Sequence, residues 1–123
     1  MTFFDLNAWQ KSKQLTLFIY DKTKNFPRDE VFGLTSQMRR ASISVNANIA
    51  EGFGRTSIKE KLNFYNIAHG SLIELQSHII IATDLRYLSL LERDELFNVI
   101  KDSLLLLNGL IRSTKKRSTS SVS

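Results

Sequence analysis

Residues 34–55, LTSQMRRASISVNANIAEGFGR, constrain this chain more than any other stretch. At about 100° per residue on a helix, Gln37, Arg40, Ser44, Asn48, Glu51 and Arg55 fall in one narrow sector. Met38, Ala41, Val45, Ile49 and Gly52 form an apolar row on one side of that sector, and Ile43, Ala47 and Ala50 form a small-residue row on the other. A polar row held between two apolar rows is not an ordinary solvated face. It predicts a helix whose polar groups meet a neighbouring element.

The flanking segments supply neighbours. Asn7 with Gln10 three residues later reads as a capped helix start, and Trp9, Ser12, Thr16, Ile19 and Thr23 then recur at helical spacing to about Lys24. Asn25-Phe26-Pro27 breaks that helix, because the residue before proline avoids the α region. Thr35 is the expected N-cap of the second helix, and Gly52-Phe53-Gly54 its expected end, with glycine available for a left-handed C-cap. Ser57 with Glu60 is a capping box that opens a long third helix. Its seam, Tyr65, Ala68, Leu72, Leu75, Ile79 and Ala82, has the spacing of helices packed near +20°. Gly70 in its middle costs about 1 kcal/mol relative to alanine unless close packing compensates. Ser89 with Glu92 repeats the capping box, and Leu96, Ile100, Ser103, Leu107 and Leu110 form the last seam.

Four helices are therefore expected in one domain over residues 1–112. A chain of 123 residues buries roughly 65% of the surface its unfolded form exposes, enough for one core. Residues 113–123 are mostly serine, threonine and basic groups that cannot bury apolar surface, and they read as a disordered tail. Ile73 and Ile80, with Tyr87 continuing at heptad spacing, stand away from the third-helix seam, and residues 104–107 wrap most of the fourth helix. This surplus predicts either a wide stripe within one bundle or a second buried surface between copies.

Charge and composition narrow the function classes. The net charge is +5, yet Arg112, Lys115, Lys116 and Arg117 supply four of the positive charges and the chain before them is nearly neutral. A basic tail can contact phosphate without the folded body reading nucleic acid. There is no cysteine, hence no disulfide framework or thiolate metal site. The start MTFFDLN has no basic region followed by an apolar run, and the longest apolar runs are far short of the ~20 residues a membrane span needs. A cytoplasmic protein without a membrane partner is expected.

No catalytic constellation assembles: there is no phosphate loop, no H-E-x-x-H and no cysteine nucleophile. Glu74 and His78 lie four apart and occur once, whereas bundle di-metal sites use Glu-x-x-His twice, so no metal and no cofactor are expected. Gly52-Phe53-Gly54-Arg55 follows a helix and lacks a third glycine, which suits a helix end better than a phosphate loop. Gln37, Arg40, Ser44, Asn48 and Glu51, with Ser71 and Glu74 across a helix interface, read as a polar network. That network is structural, inter-subunit or a ligand face. Arg39 points about 100° away from Arg40 and is expected to meet solvent or phosphate. The aromatics, Phe53 and Tyr65 among them, fall at core or cap positions, so no exposed stacking platform is expected.

The residues also carry a resemblance. Trp9 and Tyr20 ahead of Phe26-Pro27, GL-x-x-Q-x-RRA-x-x-S over residues 33–44, NIAEG-x-GR over residues 48–55 and GS-x-x-E over residues 70–74 resemble the 23S rRNA intervening-sequence proteins of bacteria. The resemblance extends to about Leu110. It implies a left-turning antiparallel four-helix bundle assembled, in known members, into a ring of five. It implies kinship with the accessory protein of diversity-generating retroelements, a five-fold barrel that binds nucleic acid and a reverse transcriptase. No established activity stands behind the family name. One departure is Val45-Asn46-Ala47, where proline is common, which relaxes a local kink.

The combined expectation is an all-α, antiparallel up-and-down four-helix bundle, not an enzyme. It acts as a homo-oligomer, a pentamer by resemblance, with RNA or a ribonucleoprotein as partner. Arg39, Arg55, Lys115, Lys116 and Arg117 are the candidate nucleic-acid contacts. The alternative is a structural or protein-partner scaffold in which Arg39, Arg40 and Arg55 are consumed by internal acidic partners.

Overall fold

Each apolar period becomes one helix. The computed structural model describes the backbone of residues 1–122 and the side chains of residues 1–117. Helices α1 (Asn7–Thr23), α2 (Leu34–Gly54), α3 (Ile58–Asp84) and α4 (Leu90–Val122) are joined by short connections, with 3-10 turns at Phe3–Asp5 and Arg28–Glu30. Connections this short make sequential helices antiparallel neighbours. Each helix packs on the next and α4 closes on α1, which is an up-and-down four-helix bundle. No strand occurs among the described residues. Nor is any described helix long and apolar enough to cross a membrane.

The seams meet on the bundle axis. Met38, Ala41, Val45 and Ile49 of α2 are wholly buried, as are all six seam residues of α3. Leu15 and Ile19 of α1 and Leu96, Ile100 and Leu107 of α4 complete the core. Burying each leucine or isoleucine contributes about 1.5–3 kcal/mol, so this axis carries most of the stabilisation.

The helix ends differ from expectation where tertiary packing competes with local caps. Asn7 does not cap α1: Leu6 occupies the N-cap position and packs against the core, while Gln10 turns its amide to the Phe4 carbonyl at 3.0 Å. Thr35 lies inside α2 and is buried. The α2 start is instead served by Glu30, whose Oε1 accepts from the Leu34 amide at 3.1 Å. No glycine has a positive φ, and Arg55 ends α2 in an extended conformation, so the left-handed glycine cap is absent. Gly52 has another reason to lack a side chain, since a Cβ there would lie 2.7 Å from Cε1 of Tyr65. Both expected serine caps form: Ser57 Oγ accepts from Glu60 N at 3.0 Å, and Ser89 and Glu92 exchange two bonds. α3 ends with Arg86 at φ 66°, the Arg86 amide bonding Thr83 O and the Tyr87 amide bonding Ala82 O. That is a Schellman ending formed without glycine.

Two further expectations change. The fold does not stop at residue 112. α4 continues, Thr114 is fully buried, and its hydroxyl donates to Leu110 O at 2.8 Å. Composition misjudged this segment because a threonine that bonds its own helix can be buried at little polar cost. The expected disorder of residues 113–117 is thereby corrected, while the side chains of 118–123 and all of Ser123 lie outside the described residues. Tyr87 does not extend the outer row of Ile73 and Ile80, because α3 ends at Asp84 and the chain turns Tyr87 onto Phe26, ring centroids 5.3 Å apart. Ile73 and Ile80 remain nearly half exposed. At Gly70 no atom beyond its own stretch of helix lies within 4 Å of where a Cβ would stand, so no close packing offsets the cost of that glycine.

Candidate functional site

The polar row of α2 lies along the groove between α2 and α3. Arg40 Nη2 sits 2.5 Å from Glu74 Oε2 and also contacts Gln37 Oε1 at 3.0 Å. His78 Nε2 reaches the same Glu74 oxygen at 3.0 Å. One turn further, Ser71 Oγ donates to Ser44 Oγ at 2.9 Å, and Asn48 Nδ2 donates to Ser44 O at 2.8 Å. Glu51 does not cross to α3; it pairs with Arg55 on its own helix at 3.3 Å. The Arg40 and Glu74 side chains are 56% and 36% exposed, so water screens their attraction to about 0.2–1 kcal/mol. They form a half-exposed surface pair that joins α2 to α3. Of those rows, Met38, Ala41, Val45, Ile49 and Gly52 face the core, while Ile43 is 43% exposed and faces outward with Ala47.

The other α2 arginines are also engaged. Arg39 is half-buried and lines an open hollow beside α1: its Nε donates to Thr23 Oγ1 at 2.9 Å and its guanidinium lies 4.6 Å from the Tyr20 ring centre. Arg55 lies near both Glu51 and Glu60 and 4.8 Å over the Phe64 ring. A side chain that sequence reasoning passed over, Asn46, joins α2 to α1 by donating to Thr16 Oγ1 at 2.7 Å. Its place in the Val45-Asn46-Ala47 departure was the available signal.

Basic groups gather instead at the end of the bundle where α2 gives way to α3 and α4 finishes. Arg55, Lys59, Lys61, Arg112, Lys115, Lys116 and Arg117 belong to that end, against Asp5, Glu51 and Glu60. Lys61 Nζ donates to the carbonyls of Phe53 and Gly52 at 2.8 and 3.4 Å, satisfying the exposed C-terminus of α2. Burial, and then the charge of Arg117, hold its pKa below the ordinary lysine value. Tyr65 beneath it is fully buried with a hydroxyl that has no hydrogen-bond partner. Burial pushes that phenol's pKa up, and Arg117 opposes the rise. At the opposite end the Tyr87 hydroxyl donates to Glu30 Oε2 at 3.0 Å, and that bond raises its pKa. Glu74 and His78 are adjacent, but no group of three His, Cys, Asp or Glu side chains able to hold a metal occurs among the described residues.

The aromatic residues depart from expectation at the N-terminus. Tyr65 is core and Phe53 lies under Lys61, but Phe3, Phe4 and Trp9 form an edge-on cluster with ring centres 5.2–5.5 Å apart. Phe4 is 53% exposed. The cluster escapes a helical reading because Phe3 and Phe4 precede α1, where no periodicity marks them.

The same architecture occurs in known proteins. A family model described as 23S rRNA-intervening sequence protein matches residues 4–109. A solved structure from Bacteroides thetaiotaomicron, a protein of unknown function from the S23 ribosomal protein family, superimposes with a TM-score of 0.78. The two are 21% identical, over 85% of this chain and 95% of that one, a likeness of fold. No curated protein matches the chain.

Proposed function

The chain belongs to the 23S rRNA-intervening sequence protein family, and from that premise we propose a non-enzymatic, self-associating cytoplasmic protein that binds RNA or a ribonucleoprotein. The observation that carries this reading is the gathering of basic side chains at one end of a bundle whose remaining charge is nearly balanced. Phosphate contact falls to Arg39 or Arg55 of the α2 segment together with Lys115, Lys116 and Arg117 on the last described turns of α4. Single-stranded RNA lowers its log K by about 0.7 per phosphate contact per decade of salt. Replacing Lys115, Lys116 and Arg117 together by glutamine, which keeps the buried Thr114, should flatten the salt slope of filter binding by about 2.

Self-association is supported by Ile67, Ile73, Ile80 and Ile81 of α3, each 44–48% exposed, with Ile43 of α2 at 43%. Multiple copies raise weak phosphate affinity by avidity. A closed homopentamer should elute as one species of five times the 14.1 kDa protomer mass, and a monomer at micromolar concentration in light scattering overturns the assembly. The second reading, a scaffold without nucleic-acid contact, draws its support from the pairing of Arg40 with Glu74 and of Arg55 with Glu51. Absence of RNA binding even at low salt would select it.

A further inference from the structure

We propose that the open groove on the outer side of α1, roofed by the N-terminal 3-10 turn, is a stacking site for an unpaired nucleobase of RNA. The proposal rests on the RNA reading above and names which part of the ligand the folded body takes. The groove encloses about 720 Å³ and is lined by Phe3, Phe4 and Trp9, with Lys13 and Leu17 along its length. Its wall is pre-set. Asp5 Oδ2 accepts from the Thr2 amide at 3.0 Å, Gln10 Nε2 donates to the Phe4 carbonyl at 3.0 Å, and the Phe3 and Trp9 rings meet at 68°. A platform ordered before binding loses little entropy when a ring lands on it.

Charge decides the occupant. Lys13 Nζ lies 5.9 Å from the Trp9 ring centre and has no carboxylate partner among the described residues. From Asn7 to Tyr20, α1 carries Lys11 and Lys13 and no acidic residue. An apolar helix seated here would strip water from the Lys13 ammonium without replacing it. A nucleotide supplies both halves of the match, a π-face for the aromatic rings and a phosphate for the lysine. Phe3 also lines the adjoining hollow with Ala47, Ala50 and Arg55, so the groove opens toward the basic end of the bundle. A strand held by phosphate at that end can therefore lay a base along α1. Stacking of this kind tolerates any base.

Trp9 is the only tryptophan, so its fluorescence reports the groove directly. The full chain is titrated with a ten-nucleotide oligoadenylate and, as an anion without bases, with inorganic polyphosphate. The oligonucleotide should quench Trp9 and polyphosphate should not. Phe4→Ala should weaken oligonucleotide binding about tenfold and leave polyphosphate binding unchanged, while Phe4→Tyr should retain both. Retention by the filter without Trp9 quenching, together with an unaffected Phe4→Ala variant, overturns the groove and leaves the RNA reading standing. Trp9 emission that shifts with protein concentration alone identifies a second copy as the occupant and also overturns it. Failure of the oligonucleotide to bind at all overturns the RNA reading, and the groove with it.

Discussion

Tyr65 and Tyr87 stand toward opposite ends of the α3–α4 hairpin, and the bundle treats their hydroxyls in opposite ways. Tyr87 reaches across from the α3–α4 turn to Glu30, and Glu30 in turn holds the first amide of α2, so one carboxylate ties two connections together. Tyr65 is wholly buried against Gly52, and its hydroxyl meets no partner. One end is closed by directed polar bonds. At the other, Tyr65 is held by packing alone, against Gly52, while Lys61 beside it donates to the Gly52 and Phe53 carbonyls. Polar bonds between connections specify which loops meet, whereas packing around an unpaired hydroxyl accepts a polar cost to fill space. The candidate RNA contacts Arg55, Lys115, Lys116 and Arg117 lie at the Tyr65 end, and Arg39 at the other.

The largest expected effect tests the packed end. Gly52→Ala puts a methyl 2.7 Å from the Tyr65 ring and 3.1 Å from Phe64 Cβ, and overpacking of that kind costs about 1–3 kcal/mol in denaturant unfolding. A loss near zero would mean that Tyr65 can move and that this end is not closed by volume. The contrast itself is tested by one substitution made twice. Tyr65→Phe removes an unsatisfied hydroxyl and should stabilise by about 1 kcal/mol, while Tyr87→Phe removes a bond to Glu30 and should destabilise. Equal signs would erase the distinction.

Alkaline titration sharpens the same pair. Both phenols have pKa values raised above the ordinary 10.0, so each binds its proton more tightly folded than unfolded. That contribution is fully present below the unfolded value and is lost as pH rises through the folded one. Stability should therefore decline above about pH 10, and each phenylalanine variant should flatten part of that decline. The smallest effect lies between the ends. Glu74→Ala should cost less than about 1 kcal/mol, because its pair with Arg40 is half in water. A larger loss at concentrations where copies associate, absent on dilution, would place that groove inside an assembly.

The periodic residues determined the fold by themselves. Rows spaced three and four apart must be buried on one side, so the α2 core row and the seams of α3 and α4 were legible from order alone. The serine caps were legible too, since a serine and a glutamate three apart need only their own helix turn. The contact of Arg40 with Glu74 was visible as a possibility, but not its exposure. Exposure depends on how far two helices diverge, and no single helix encodes that. Gly52 looked like a cap because glycine permits a left-handed turn, yet only the position of the Tyr65 ring reveals that the missing side chain is what counts. The engagement of Arg39, the bond from Tyr87 to Glu30 and the Phe3, Phe4 and Trp9 cluster were hidden for one reason. Each joins residues from different elements, or from a turn without periodicity, and such contacts exist only after the helices have packed.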